Sequence, residues 1–359
     1  MDPNRPAPTR VLEALSHRTG VPFEASIELT LKCPLDCEHC YLRPAPVVNE
    51  MVLTDIIRVL DKLQAAGVLF LTLTGGEPTL HPEFFRIVDA ARTRRFALRL
   101  YTSGWLTSDA IRRIPESGFG KVDVTMMGIG AVHDQIVRRP GAYQKTLKFL
   151  DALADAGQRV LIKTTLLSAN ADQIDGIRTL AEQYGFEHQV GLFIGGCATG
   201  CRPSRTGAEF APNDDAVLQQ MIADIQAGRQ SPDAMPIEEA LICGAGRYTW
   251  TIAPDGVVYP CAIFRLPCGN LLNQSVSEIV QSPDLSAIRS MTIDDLADCA
   301  VCGLAQHCKR CPGQSLIETG SFLTANSEAC RVARIRERAV AQFSERSSAV
   351  DESEAGPSK

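Results

Sequence analysis

Three cysteines in the run Lys32-Cys-Pro-Leu-Asp-Cys-Glu-His-Cys-Tyr41 are the residues through which this chain can do its most distinctive chemistry. Their C-x3-C-x2-C spacing offers three thiolates from one loop. A closed structural zinc or iron–sulfur site takes four ligands, so three leave one metal position open. The same three also fit half of a zinc site completed elsewhere. A second cysteine field lies downstream. It reads Cys243-x12-Gly256-x4-Cys261, then Cys268, then Cys299-x2-Cys302-x5-Cys308-x2-Cys311, then Cys330. Taken alone, its Cys299–Cys311 spacing suits a zinc-ribbon pair. Cys197 and Cys201 complete the thirteen cysteines, and the six histidines show no ligand spacing. His39 packs beside the first loop's metal rather than binding it.

The elements that must position these residues read as a βα series. Strand-like runs fall at about Ala25–Lys32, Val68–Thr74, Phe96–Thr102, Lys121–Met126, Arg159–Leu166 and His188–Phe193. Between them, apolar residues recur at helical spacing, as in Leu53, Ile56, Ile57, Leu60 and Leu63, stopped by Gly67. Such a series predicts a parallel sheet curled by right-handed crossovers into a full or partial six-strand TIM-like barrel. Chemistry in such barrels sits on loops at the carboxyl ends of the strands. The Cys33/Cys37/Cys40 loop follows the first strand, Gly75-Gly76-Glu77-Pro78 the second, and Cys197 and Cys201 the sixth, so all share one face. Cys197 and Cys201 are then either free buried thiols or substrate-facing groups that hand over a hydrogen atom or proton.

The expected organisation is a tail over 1–20, the barrel over 21–200 and a linker with one amphipathic helix over 201–242. A cysteine-rich domain over 243–335 follows, with eight of the cysteines between Cys243 and Cys330. The last part, 336–359, holds the end of an Arg-rich helix and a small, polar tail expected to be disordered. A net charge of −6 with no long basic run argues against a nucleic-acid or anionic-membrane surface. No apolar stretch reaches the roughly 18 residues of a membrane span, and Met1–Arg10 lacks a signal-peptide core. The chain therefore reads as cytoplasmic, where cysteine excess points to metal or cluster ligation rather than disulfides.

Together the first cysteine loop and the Gly-Gly-Glu-Pro turn resemble the radical S-adenosylmethionine (radical SAM) enzymes. The resemblance implies that Cys33, Cys37 and Cys40 hold a [4Fe–4S] cluster whose fourth iron is chelated by the amino and carboxylate groups of SAM. It implies that the backbone of Gly75, Gly76, Glu77 and Pro78 holds the SAM amino group, glycines permitting close approach. Thr125 sits where many relatives have a serine near the SAM carboxylate, and Ser103 replaces a frequent asparagine; either is equally a strand-end cap. The chemistry implied is homolysis of SAM to a 5′-deoxyadenosyl radical, which abstracts hydrogen from an unactivated C–H bond.

The downstream field is similar to the SPASM domain, a carboxy-terminal extension with two auxiliary [4Fe–4S] clusters. Carried over, the pattern assigns Cys243, Cys261, Cys268 and Cys311 to the first auxiliary cluster. Cys299, Cys302, Cys308 and Cys330 go to the second. The family has one residue more between its fifth and sixth cysteines than the two between Cys308 and Cys311 here. Eight ligands would close both clusters, favouring electron transfer or structure over substrate ligation.

Within this family the reading is an enzyme that oxidatively modifies a ribosomally synthesised peptide or protein side chain. The alternatives are the same chemistry on an aminocyclitol or haem precursor, and a non-catalytic zinc- or cluster-bearing module. Ala262 follows Cys261 where sulfatase-modifying relatives carry an aspartate, which weakens that branch. The short N-terminal segment cannot hold the winged-helix domain of some relatives, so precursor recognition falls to a separate protein or to the barrel rim. A flavodoxin- or ferredoxin-type donor is expected to supply electrons.

Overall fold

The computed structural model describes residues 7–37, 39–42, 48–192, 196 and 210–354. Six parallel strands pair in chain order: β1 (Glu24–Thr30), β2 (Phe70–Gly75), β3 (Ala97–Thr102), β4 (Lys121–Thr125), β5 (Val160–Thr165) and β6 (Glu187–Gly191). Helices Leu53–Ala66, Phe84–Thr93, Ala142–Asp155 and Ile174–Tyr184 return the chain between them. Among the described residues the strand order is linear, so the sheet is an open, partial barrel.

Side-chain alternation explains both faces of the sheet. Ala25, Ile27 and Leu29 of β1 join Leu71, Leu73, Leu98, Leu100, Val122, Val124, Val160 and Ile162 in one buried aliphatic layer beneath the helices. The intervening positions carry Glu28, Thr72, Arg99, Asp123 and Lys163. Parallel strands buried on both faces read as continuous apolar runs. These alternate because their second face is a polar working surface.

The cysteine-rich segment joins the barrel sheet and its core, and adds a small core of its own around Leu241, Met291, Leu296 and Ala305. Its strand β7 (Thr249–Ile252) pairs in parallel with the free edge of β1, Glu24 opposite Thr249 and Ile27 opposite Ile252. Strands β8 (Val257–Tyr259) and β9 (Gly269–Asn270) continue the same sheet antiparallel, giving nine strands. Trp250, Ile252, Phe264, Leu271, Ile279 and Leu285 share the aliphatic layer of the barrel. These strands hold only 4, 3 and 2 residues, too few to show a period in the sequence.

Two further differences from expectation concern the flanks, and the helix expected between them is present. Residues expected as an N-terminal tail form the helix Ala7–Thr19, which buries Glu13 and Ser16 and docks His17 on Tyr248, Nε2 to Oη 3.0 Å. The helix expected in the linker spans Asp214–Gln226, with Asn213 capping the Ala216 N–H. It packs Val217, Met221 and Ile222 against Ile335 and Ala339 of the terminal helix Ser327–Glu354, a second core. That terminal helix runs on to Glu354, through part of the segment expected to be disordered, because no glycine or proline interrupts it before Gly356-Pro357.

One buried ion pair fastens the two halves. Glu28 of β1 is fully buried, and its carboxylate accepts both arms of the Arg265 guanidinium, one at 3.0 Å. Burial holds the Glu28 carboxyl above its usual range, against the pull of Arg265. Removing one partner leaves an uncompensated buried charge at a cost of about 3–5 kcal/mol. Arg265→Met should therefore lower the unfolding temperature of the holoenzyme markedly, and the double variant Glu28→Gln/Arg265→Met should recover much of the loss. Equal unfolding temperatures for the single variant and wild type would contradict the pairing.

Candidate functional site

The first cysteine loop is built on the carboxyl end of β1. Lys32 Nζ donates to Glu50 Oε2 at 3.0 Å, and Thr30 Oγ1 donates to Glu50 Oε1 at 2.5 Å, fixing the strand's exit. The turn after β2 binds this same stem. Gly76 N–H donates to Thr30 O and Glu77 N–H to Lys32 O, each at 2.8 Å. Gly75 has φ 134°, and a Cβ there would lie 2.2 Å from Thr30 O. A Cβ on Gly76 would lie 2.4 Å from Lys32 O. The glycines are thus required by the protein's own backbone, and the two sequence motifs form one physical unit.

Glu77 is the keystone of that unit. It is fully buried and accepts hydrogen bonds from Thr79 Oγ1 (2.9 Å), Thr102 Oγ1 (2.8 Å), Ser103 N (2.9 Å) and Ser103 Oγ (2.7 Å). Burial raises its carboxyl pKa, with the four donors pulling the other way. The side chains of Glu77 and Ser103 bind one another and lock the β2 turn to the end of β3. Pro78 starts the 3-10 turn that follows. Thr125 lies half-buried at the end of β4, opposite Lys163. Cys33 and Cys37 pack with Trp105 against Leu35, Met127, Val137 and Leu167, and Asp36 N–H donates to Val137 O at 3.1 Å. Cys197 and Cys201 lie outside the described residues.

The downstream thiols act on one another in two sets. Burial pushes the Cys261 thiol up to about 12, and Cys243 and Cys311 add to that rise. Burial likewise pushes Cys308 up to about 11, with Cys330, Cys299 and Cys302 adding. Local packing explains how Cys311 reaches Cys261 despite the shortened spacing. Cys311 caps the helix Pro312–Thr319, and Gly313 lets that helix lie on the turn after Cys261, where a Cβ would stand 2.8 Å from Phe264 N. Phe264 N–H in turn donates to Cys261 Sγ at 3.3 Å. Cys268 is different. It is buried in the main core with its Sγ donating to Leu266 O at 3.4 Å. Burial raises its thiol to about 12, and Asp284 is the one other contributor among the described residues.

Several residues that the sequence reading passed over belong to the site. Tyr41 joins the two cysteine fields: burial raises its phenol pKa, and Glu28, Cys40 and Cys261 each add to the rise. Arg99 donates to both oxygens of buried Asp123 at 2.9 and 2.7 Å, and Lys163 Nζ stands 3.8 Å from the same carboxylate. Arg99 and Lys163 both lie over the Tyr101 ring, at 5.1 and 4.5 Å from its centroid. A cavity of about 890 Å³ is lined by Arg99, Lys121, Leu161, His188, Arg336 and Cys311, so the barrel strands and Cys311 share one space that the first cysteine loop and the β2 turn do not line. The only signal for these positions was charge at alternate places in strands, which a surface face would also produce.

Thiolate-only donor sets suit iron–sulfur clusters as well as zinc, and similarity to known proteins decides between them. Residues 27–181 match the radical SAM superfamily and residues 243–312 an iron–sulfur cluster-binding domain, SPASM. The mycofactocin maturase MftC of Mycobacterium tuberculosis is 27% identical over 326 residues, 85% of this chain and 81% of that protein. The sporulation killing factor maturation protein SkfB of Bacillus subtilis is 26% identical over 272 residues, 72% of this chain but only 65% of its own length. In fold, the chain resembles Streptococcus suis SuiB bound to its precursor peptide SuiA, with TM-score 0.68 and 17% identity, covering 90% of this chain and 79% of that one. The chain belongs to the radical SAM superfamily and carries a SPASM domain, which makes [4Fe–4S] clusters and SAM its cofactors.

Proposed function

We propose that this protein oxidatively modifies a ribosomally synthesised peptide, beginning with removal of a hydrogen atom from a peptide C–H bond. The observation that carries the reading is similarity along most of the chain to the maturases MftC and SkfB. When bound, the reduced first cluster and SAM supply the deoxyadenosyl radical that does this work. In this reading Cys33, Cys37 and Cys40 hold that cluster. Cys243, Cys261 and Cys311, with Cys268 as the candidate fourth ligand, hold the first auxiliary cluster. Cys299, Cys302, Cys308 and Cys330 hold the second.

The protein's own share is placement. Glu77 clamps the β2 turn against Ser103 and the stem of the cysteine loop, so the SAM-facing backbone is fixed before substrate arrives. Gly75, Gly76, Glu77 and Pro78 then present that backbone to SAM, with Ser103 and Thr125 at the neighbouring strand ends. The cavity beside Cys311 is lined by none of Cys33, Cys37, Cys40, Gly75, Gly76, Glu77, Pro78, Ser103 or Thr125, and it is not assigned to the substrate. An aminocyclitol or haem precursor as the substrate of the same radical chemistry is the second reading. A separate precursor-recognition protein and a flavodoxin- or ferredoxin-type donor complete the proposed system, which operates in the cytoplasm. No helix of the described residues is long and apolar enough to cross a membrane.

Reconstituted enzyme with SAM, a reductant and a short peptide encoded beside it should change the peptide's mass, by loss of hydrogen or by crosslinking. Deoxyadenosine release with an unchanged peptide would contradict the proposal; release stimulated by a tetrapyrrole or aminocyclitol would favour the second reading. The cluster assignment has its own check. The triple variant Cys33→Ala/Cys37→Ala/Cys40→Ala should keep about eight of roughly twelve irons per chain, the share of two four-iron clusters, and lose SAM cleavage. Retained cleavage, or loss of all iron, would contradict the assignment.

A further inference from the structure

Arg310 occupies the step between Cys308 and Cys311 and is 4% exposed. Its Nη2 donates to the carbonyl oxygens of Phe322 and Thr324, the latter at 3.0 Å. Those bonds fix the guanidinium in place, yet Nε and Nη1 are buried without a hydrogen-bond partner. An orphaned buried donor is costly, and more so when the group is charged. A side chain held rigidly with two unspent donors is aimed at an acceptor better than the neutral Cys299 thiol beside it.

The surroundings identify the acceptor. The positive charge of Arg310 acts on Cys299 and Cys308 of one thiol set and on Cys243 and Cys311 of the other. Cys299 is near enough to interact with it, without the alignment of a formed hydrogen bond. Neutral thiols are weak acceptors, whereas anionic cluster sulfurs are good ones. Arg247, a half-buried arginine nearby, also has an unpartnered Nε. It acts on Cys243, and its Nη2 is spent on the Met291 carbonyl at 2.7 Å.

We propose that Arg310 is a positioning residue shared by the two auxiliary clusters, supplying its two free N–H groups and its charge to the space between them. Cluster potentials are set by net charge and by hydrogen bonds to sulfur. A fixed cation stabilises the more negative, reduced state and so raises both auxiliary potentials together. Arginine suits this role because it stays protonated when buried. The inference rests on the assignment of these cysteines to two clusters, but not on the peptide as substrate.

The test is an EPR-monitored redox titration of anaerobically reconstituted holoenzyme without substrate, comparing wild type, Arg310→Gln and Arg310→Lys. Iron and zinc are assayed on the same samples. Arg310→Gln should weaken reduction of both auxiliary clusters at least tenfold, about 59 mV for a one-electron couple, leaving the SAM-binding cluster unmoved. Arg310→Lys should recover part of the shift. Unmoved auxiliary potentials in an iron-complete Arg310→Gln would overturn the proposal, because a purely structural arginine predicts that result. If Arg310→Gln fails to load iron, wild-type enzyme labelled with 15N-arginine decides. Pulsed EPR should then detect weak nitrogen coupling to the reduced cluster of the Cys299 set, and no coupling there would overturn it. Zinc in wild type would instead refute the underlying cluster assignment.

Discussion

The double pairing of β1 is the constraint on which the rest of the molecule depends. On one side β2 fixes its register, and the turn that follows β2 hydrogen-bonds to the stem of the first cysteine loop. On the other side β7 extends the sheet into the cysteine-rich third. The interior side chain of the same strand, Glu28, is bound to Arg265 from the loop after Cys261. One strand therefore sets the position of the first cysteine loop and of the downstream thiol sets. The distance between their chemistries is a property of backbone pairing rather than of a flexible hinge.

Charge burial supplies the second layer of control. Glu77 is held by four short contacts from Thr79, Thr102 and Ser103, and Glu28 by one guanidinium. Each spends costly desolvation to join parts of the site that are distant in sequence. Such networks are worth their cost only when every member is satisfied. Both carboxylates meet that condition, whereas Arg310 keeps two buried donors without a hydrogen-bond partner.

Much of this was legible in the sequence because the signals were local. The C-x3-C-x2-C loop and the Gly-Gly-Glu-Pro turn are short, and their placement after the first and second strands follows from periodicity. What stayed hidden is long-range. Strands of 2 to 4 residues carry no period, so the addition of β7, β8 and β9 to the barrel sheet could not be read. Glu77 reads as part of a ligand motif, but its polar atoms turn inward to Thr102 and Ser103, a pairing that spans 25 to 26 residues. Cys268 matches a spacing, yet its side chain faces the main core beside Leu266, because β9 carries it along the β8 edge. Arg310 has no sequence signal beyond standing between two cysteines.

The central claim is that one iron site is open for SAM while the auxiliary clusters are closed to it. Mössbauer spectroscopy of the 57Fe holoenzyme, recorded with and without SAM, tests this directly. The account predicts that a single iron of roughly twelve changes its isomer shift on addition of SAM and that the rest keep theirs. A spectrum in which no iron moves, or in which irons of the auxiliary clusters move as well, would contradict it.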